Sequence, residues 1–106
     1  MLKRTKRRYL ALEIDSKANF QPKILIDAIW SSILKLYGEY GASQTSLSLI
    51  DYNLEEKQVI IRTNLSALNI VRTSLVTITS IAENQVALHV LSISGTIKAL
   101  KEKIKM

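Results

Sequence analysis

Apolar residues in this chain recur first at every second position, then at every third and fourth, then at every second again. The order of those changes admits few folds. Over residues 9 to 15, YLALEID, Leu10, Leu12 and Ile14 alternate with Tyr9, Ala11 and Glu13, the period of a strand with one face buried. Pro22 suits the first turn of a helix, and Ile26, Ile29, Trp30, Ile33, Leu34 and Tyr37 then trace a broad apolar face until Gly38 and Gly41 signal a stop. The spacing predicts a helix over 22–38 and places Trp30 in the core. TSLSLIDY (45–52) and KQVIIRTN (57–64) read as two strands joined by a turn around Asn53 to Glu56, an antiparallel hairpin.

The stretch LSALNIVRTSLVTITSIAEN (65–84) is rich in Val, Ile and Thr, which favour strands, but it is too long for an ordinary one. Leu68, Val71, Leu75 and Ile78 step by three and four, with Asn64 or Ser66 as N-cap, so this is predicted as a helix. QVALHVLSI (85–93) follows as a strand with Val86, Leu88 and Val90 on one face. In SISGTIKALKEKIK (92–105), Ile97, Leu100 and Ile104 recur at helical spacing, Lys98, Lys101 and Lys105 repeat it on another face, and Ser94 or Thr96 can cap the helix. Strand, helix, strand, strand, helix, strand, helix describes an α+β class: a ferredoxin-like, RRM-like sandwich in which two helices cover one face of a four-stranded antiparallel sheet, with a further C-terminal helix. The division expected is a basic N-terminal arm, 1–8, and one domain, 9–106, that includes a basic C-terminal helix over 96–105.

Charge is unevenly spread. The first eight residues carry five cations, Lys3, Arg4, Lys6, Arg7 and Arg8, and no acid, whereas residues 96 to 106 carry four lysines against Glu102. Between them six basic groups face eight acidic ones, so the net charge of +6 comes from the two ends. If both ends lie on one side of the fold, their summed field steers a polyanion there, and each neutralised phosphate releases counterions. Ser94, Gly95 and Thr96 can present backbone amides at a helix amino end, where phosphate is favoured, with Lys98, Lys101 and Lys105 extending the contact. Arg62, on the open face of the third strand, adds a further cation.

Other chemistries find little support. The single histidine, His89, has no neighbouring motif that would make it a general base. The acids are scattered along the chain without the pairing or His spacing of a metal site, so neither a metal nor a catalytic residue is expected. No P-loop or dinucleotide glycine motif is present. Gly38-Glu39-Tyr40-Gly41 matches the GxxG pattern of KH domains, but Glu39 would repel phosphate and helix termination explains the glycines. The glycine-and-aromatic octapeptide of an RNA-stacking RRM is absent, and Tyr9, Ala11, Glu13, Ile60 and Arg62 make no base-stacking platform. RNA contact should therefore come from basic groups near the termini and read phosphate and shape. With no cysteine and no apolar run of membrane length, a cytoplasmic protein without membrane contact is expected.

AIWSSILKLYGEYGAS (28–43), QVIIRTN (58–64) and above all SISGTIKALKEK (92–103) resemble the small RRM-like protein subunits of archaeal-type ribonuclease P, protein component 2, related forms of which serve eukaryotic ribonuclease P and MRP. The resemblance covers essentially the whole chain, with a short N-terminal arm and a tail that ends soon after the last helix. It implies a non-catalytic subunit of the RNA-based endonuclease that removes the 5′ leader of precursor tRNA. In that family the catalytic RNA and its magnesium ions perform hydrolysis, so the chain itself binds no cofactor. Implied partners are ribonuclease P RNA and a TIM-barrel protein subunit, two copies of each protein forming a heterotetramer, with precursor tRNA met indirectly. Two rivals are an acylphosphatase-like hydrolase, for which SKANFQP (16–22) lacks the required arginine, and an interaction or dimerisation module without RNA.

Overall fold

The structure, a computed structural model, describes residues 6–104. Strand β1 (Arg7–Asp15) leads to helix α1 (Pro22–Ser43), the hairpin β2 (Ser48–Asn53) and β3 (Gln58–Asn64), and helix α2 (Leu68–Thr77). A two-strand hairpin, β4 (Ser80–Ile81) and β5 (Asn84–Gln85), precedes β6 (Ala87–Ser94) and helix α3 (Ile97–Ile104). The main sheet has the antiparallel order β2-β3-β1-β6, as expected for the RRM-like sandwich. Because β1 is central, Arg7 pairs with Asn64 and Tyr9 with Ser94 at one end, while Glu13 pairs with Gln58 and Asp15 with Ala87 at the other.

Period two along β1 does what the sequence requires on one face: Leu10, Leu12 and Ile14 join Leu25, Ile29 and Ile33 of α1, Val71 and Leu75 of α2, and Val59 and Ile61 of β3 in the main core. The other face was expected to be open, yet Ala11 is fully buried. Leu100 of α3, 0% exposed, packs over Ala11 and Ile60, with Tyr9 and Ile50 beside them. Alanine at position 11 leaves the hollow that a leucine side chain fills. Both outer strands carry a bulge beside the Ala11–Ile60 row of the sheet, one on each side of it, where register shifts occur between Leu49 and Asp51 in β2 and opposite Ala11 and Leu12 in β6. Bulges increase local twist, and the Ala11–Ile60 row between them is the one that α3 covers through Leu100.

Several boundaries differ from the sequence reading. Arg7 and Arg8 belong to β1 and not to a separate arm, since they pair with Asn64 and Thr63 and the Lys6 carbonyl accepts the Leu65 amide at 2.8 Å. Helix α1 does not end at Gly38. That residue takes φ +74° and breaks the helix, after which a further helical segment runs on to Ser43. Gly41 is no stop signal but a point of close approach, because a Cβ there would fall 2.5 Å from Tyr37 Cβ. Strand β2 starts three residues later than expected, because Thr45 is drawn into a buried link: its carbonyl accepts the Thr63 hydroxyl at 2.6 Å and its own hydroxyl donates to the Ala42 carbonyl at 2.8 Å.

The predicted long second helix is shorter. A 3-10 turn (Leu65–Ala67) precedes α2, which ends at Thr77, and Ala82 and Glu83, both at positive φ, turn the remainder into the β4–β5 hairpin. Neither Asn64 nor Ser66 caps it: the Asn64 side chain donates to the Gln44 carbonyl at 2.9 Å and Ser46 Oγ at 3.2 Å. Ser32 takes part in the seam between α1 and α2, donating to the Ser74 carbonyl at 3.0 Å and meeting the Thr77 hydroxyl at 2.8 Å. At the opposite end of the sheet from Arg7, the Tyr52 hydroxyl donates to the Phe20 carbonyl at 2.6 Å. Burial pushes the Tyr52 pKa up from 10.0, and that hydrogen bond opposes the rise.

Candidate nucleic-acid interface

Antiparallel pairing decides where the basic residues meet. The beginning of β1, the end of β3 and the end of β6 lie at one end of the sheet, so Lys6, Arg7, Arg8, Arg62, Ser94, Gly95 and Thr96 converge there. Lys6 and Arg7 are exposed, and Arg8 is half-buried. Arg8 Nη1 donates to the Arg7 carbonyl at 2.8 Å and lies 3.5 Å from the point where a Gly95 side chain would begin, so its guanidinium rests against the turn into α3. Arg62 pairs across β1 with Tyr9, and its Nη2 donates to Ser48 Oγ at 3.4 Å.

Thr96 is the cap of α3. Its hydroxyl accepts the Ala99 amide at 3.1 Å, its carbonyl accepts the Leu100 amide at 3.1 Å, and its own amide faces Ser94 Oγ at 3.5 Å. The turn is thus partly satisfied within the chain, and Ser94 and Thr96 serve first to build the helix start. The lysines of α3, alike in sequence spacing, part company in the fold: Lys98 is exposed, whereas Lys101 Nζ lies 3.6 Å from Asp51 of β2, both groups being half-exposed. Lys103 Nζ donates to the Ile93 carbonyl at 3.2 Å. Lys3, Arg4 and Lys105 lie outside the described residues.

Two arrangements escaped the sequence reading. Trp30 is not a core residue. It is 38% exposed because α1 turns Leu25, Ile29 and Ile33 to the sheet, and this leaves Trp30 on the flank with Tyr37, 39% exposed, two helical turns on; Tyr40, 81% exposed, follows the break at Gly38. A hydrophobic face wider than the core can cover carried that signal in the pattern itself. The second is His89, whose Nε2 lies 3.7 Å from Asp15 Oδ2, with both side chains more than half-exposed. Only the pairing of β1 with β6 brings them together. A cleft of about 640 Å³ opens nearby, lined by Asp15, Ser16, Lys17, Glu83, Asn84 and Gln85 among others. Among the described residues, no three His, Asp or Glu side chains converge in an arrangement fit for a metal ion.

Fold and site together define an RRM-like sandwich whose usual base-stacking face is closed by its own C-terminal helix and whose Lys6, Arg7, Arg8 and Arg62 gather at one end of the sheet. The Rpp14/Pop5 family profile matches residues 8–105, and the chain belongs to that family. Ribonuclease P protein component 2 of Pyrococcus furiosus is 34% identical over 100 residues, spanning 94% of this chain and 83% of that protein. The protein of the same name from Methanococcus vannielii is 31% identical over 94% of this chain and 75% of its own length. A chain in the cryo-electron microscopy structure of yeast ribonuclease MRP shares the fold, with a TM-score of 0.72 at 16% identity, over 91% of this chain and 79% of that one. No helix among the described residues is long and apolar enough to cross a membrane.

Proposed function

We propose that this chain is a non-catalytic protein subunit of ribonuclease P, acting in tRNA 5′-leader removal by binding and stabilising the catalytic RNA. The observation that carries the reading is the convergence of Lys6, Arg7, Arg8 and Arg62 beside the start of α3, in a chain of the Rpp14/Pop5 family. Cations on a rigid sheet end neutralise closely spaced RNA phosphates and so favour a compact RNA, a task for which magnesium otherwise serves. Hydrolysis and its magnesium belong to the RNA, and the chain's part is positional. A TIM-barrel protein subunit joins it in a cytoplasmic heterotetramer with two copies of each protein, and precursor tRNA is met through the RNA. The exposed Trp30 and Tyr37 on one flank of α1 support protein contact as well as RNA contact.

Reconstitution tests this directly. The chain, ribonuclease P RNA and the TIM-barrel subunit are assayed for precursor-tRNA cleavage at a magnesium concentration too low for the RNA alone. Cleavage that requires the chain is the expected result; a folded chain without effect on a competent RNA leaves an interaction module without RNA as the better account.

A further inference from the structure

Along the sequence the nine acidic residues look scattered. The fold sorts them. Glu13 and Asp15 end β1, Glu55 and Glu56 form the turn between β2 and β3, and Glu83 lies in the β4–β5 turn, where the Gln85 carbonyl accepts the Ser16 hydroxyl at 2.7 Å. Five of the nine therefore share the end of the sheet opposite Arg7. Lys17, Lys23 and Lys57 are also there, the last donating to the Ser16 carbonyl, so three cations against five acids leave that end with a net charge of −2. The other end carries Lys6, Arg7, Arg8, Arg62 and Lys98 against Glu39 alone among the described residues.

The separation decides what these groups can do. Nine residues of β1, at about 3.3 Å each, hold the two ends roughly 26 Å apart. That is about three Debye lengths at physiological ionic strength, so each end presents its own field with little cancellation from the other. A phosphate approaching the start of β1 meets an excess of cations, and one approaching the β2–β3 turn meets a net excess of carboxylates.

We infer that this charge axis, parallel to the strands, orients the chain on RNA: it seats on phosphates through the end formed by β1, β3 and α3, and its acidic end is held away from RNA. The inference rests on the RNA-binding reading above and adds a direction to it. A net charge of +6 alone would allow binding from any side; the axis allows one side and rejects the reverse pose by like-charge repulsion. The rejecting end also remains open for contacts that are not with RNA.

The chain has no cysteine, so a probe can be placed at one position at a time. Gln44→Cys marks the basic end and Asn84→Cys the acidic end, both at exposed positions, each carrying an iron–EDTA group that cleaves nearby RNA by hydroxyl radicals. With ribonuclease P RNA as the target, scission from position 44 is expected to exceed that from position 84 at least tenfold. Equal scission from both positions overturns the orientation, and this arm needs no charge variant. Adding Glu55→Lys, Glu56→Lys and Glu83→Lys to the Asn84→Cys chain should raise its scission to the level of position 44. If the circular dichroism spectrum is unchanged and scission from position 84 does not rise, the orientation is not electrostatic and the inference fails. Failure of the unlabelled chain to bind the RNA at about 0.1 M salt, read by fluorescence anisotropy, would sink the RNA-binding reading itself.

Discussion

Sixteen side chains are buried together on the helix-covered side of the sheet, and three on the side that α3 crosses. The first group draws on β1, α1, β3, α2 and β6 together. The second turns on one knob, Leu100, set into the hollow over Ala11 and flanked by surface interactions that water can replace, the Lys101–Asp51 pair and the Lys103–Ile93 hydrogen bond. Exposed ion pairs contribute roughly 0–1 kcal/mol. The large core therefore sets whether the chain folds, and the small one sets where α3 and its lysines stand.

Four experiments break or sharpen that contrast, from the largest effect to the smallest. Leu12→Ala, in the large core, should cost about 3–5 kcal/mol, the range for a buried leucine in surroundings that cannot collapse. Urea denaturation should show one cooperative transition at a lower midpoint, and a loss below about 1 kcal/mol would mean that the core is looser than its burial indicates. Leu100→Ala should cost about 2 kcal/mol, because α3 can undock and limit the damage. Hydrogen exchange is the sharper measurement: α3 amides should lose protection while those of β3 keep theirs, and parallel loss in both would make the two sides one cooperative unit.

Lys98→Glu, Lys101→Glu and Lys105→Glu together should leave stability within about 0.5 kcal/mol. They should reduce RNA affinity about tenfold or more and flatten its salt dependence. Unchanged affinity with an intact fold would remove α3 from the RNA contact. The smallest effect concerns pH. The folded chain holds the Tyr52 proton above its usual value, so the unfolded chain releases that proton first as pH rises. This contribution is fully present below about pH 10 and is lost as pH climbs through the raised folded value. Tyr52→Phe should flatten that alkaline decline in thermal midpoint, and a decline of unchanged slope would assign it to other groups.

The helix-side half of the fold was legible because its signal is local. Alternation in β1 and the three-four spacing of α1 and α2 are properties of neighbouring residues, and the core used most of them, Ile29, Ile33, Val71 and Leu75 included, although in α1 it turned to Leu25 and left Trp30 and Tyr37 outside. What could not be read depends on residues far apart. Ala11 looks like an ordinary outward residue until α3 returns to cover it, and the approach of His89 to Asp15 exists only through the pairing of β1 with β6. The β4–β5 hairpin was lost inside a predicted helix, because its apolar spacing ran on in phase while Ala82 and Glu83 took a turn that their residue types do not announce. For the candidate site, the cations were legible one by one, but the antiparallel strands were needed to gather Arg62 with Arg8 and to separate Lys98 from Lys101.

The two bulges in the outer strands have a consequence for how copies of this chain behave when crowded. An outer strand normally offers an unbroken row of amides and carbonyls on which a second chain can continue the ladder. Here β2 and β6 each lose the regular repeat at mid-length, on opposite edges of the sheet and on either side of the Ala11–Ile60 row. Neither edge offers a full-length template, so growth of sheet upon sheet into fibres is interrupted at both borders. Proteins concentrated on a shared scaffold need that protection, and in this chain it comes from the bulges that flank the row α3 covers.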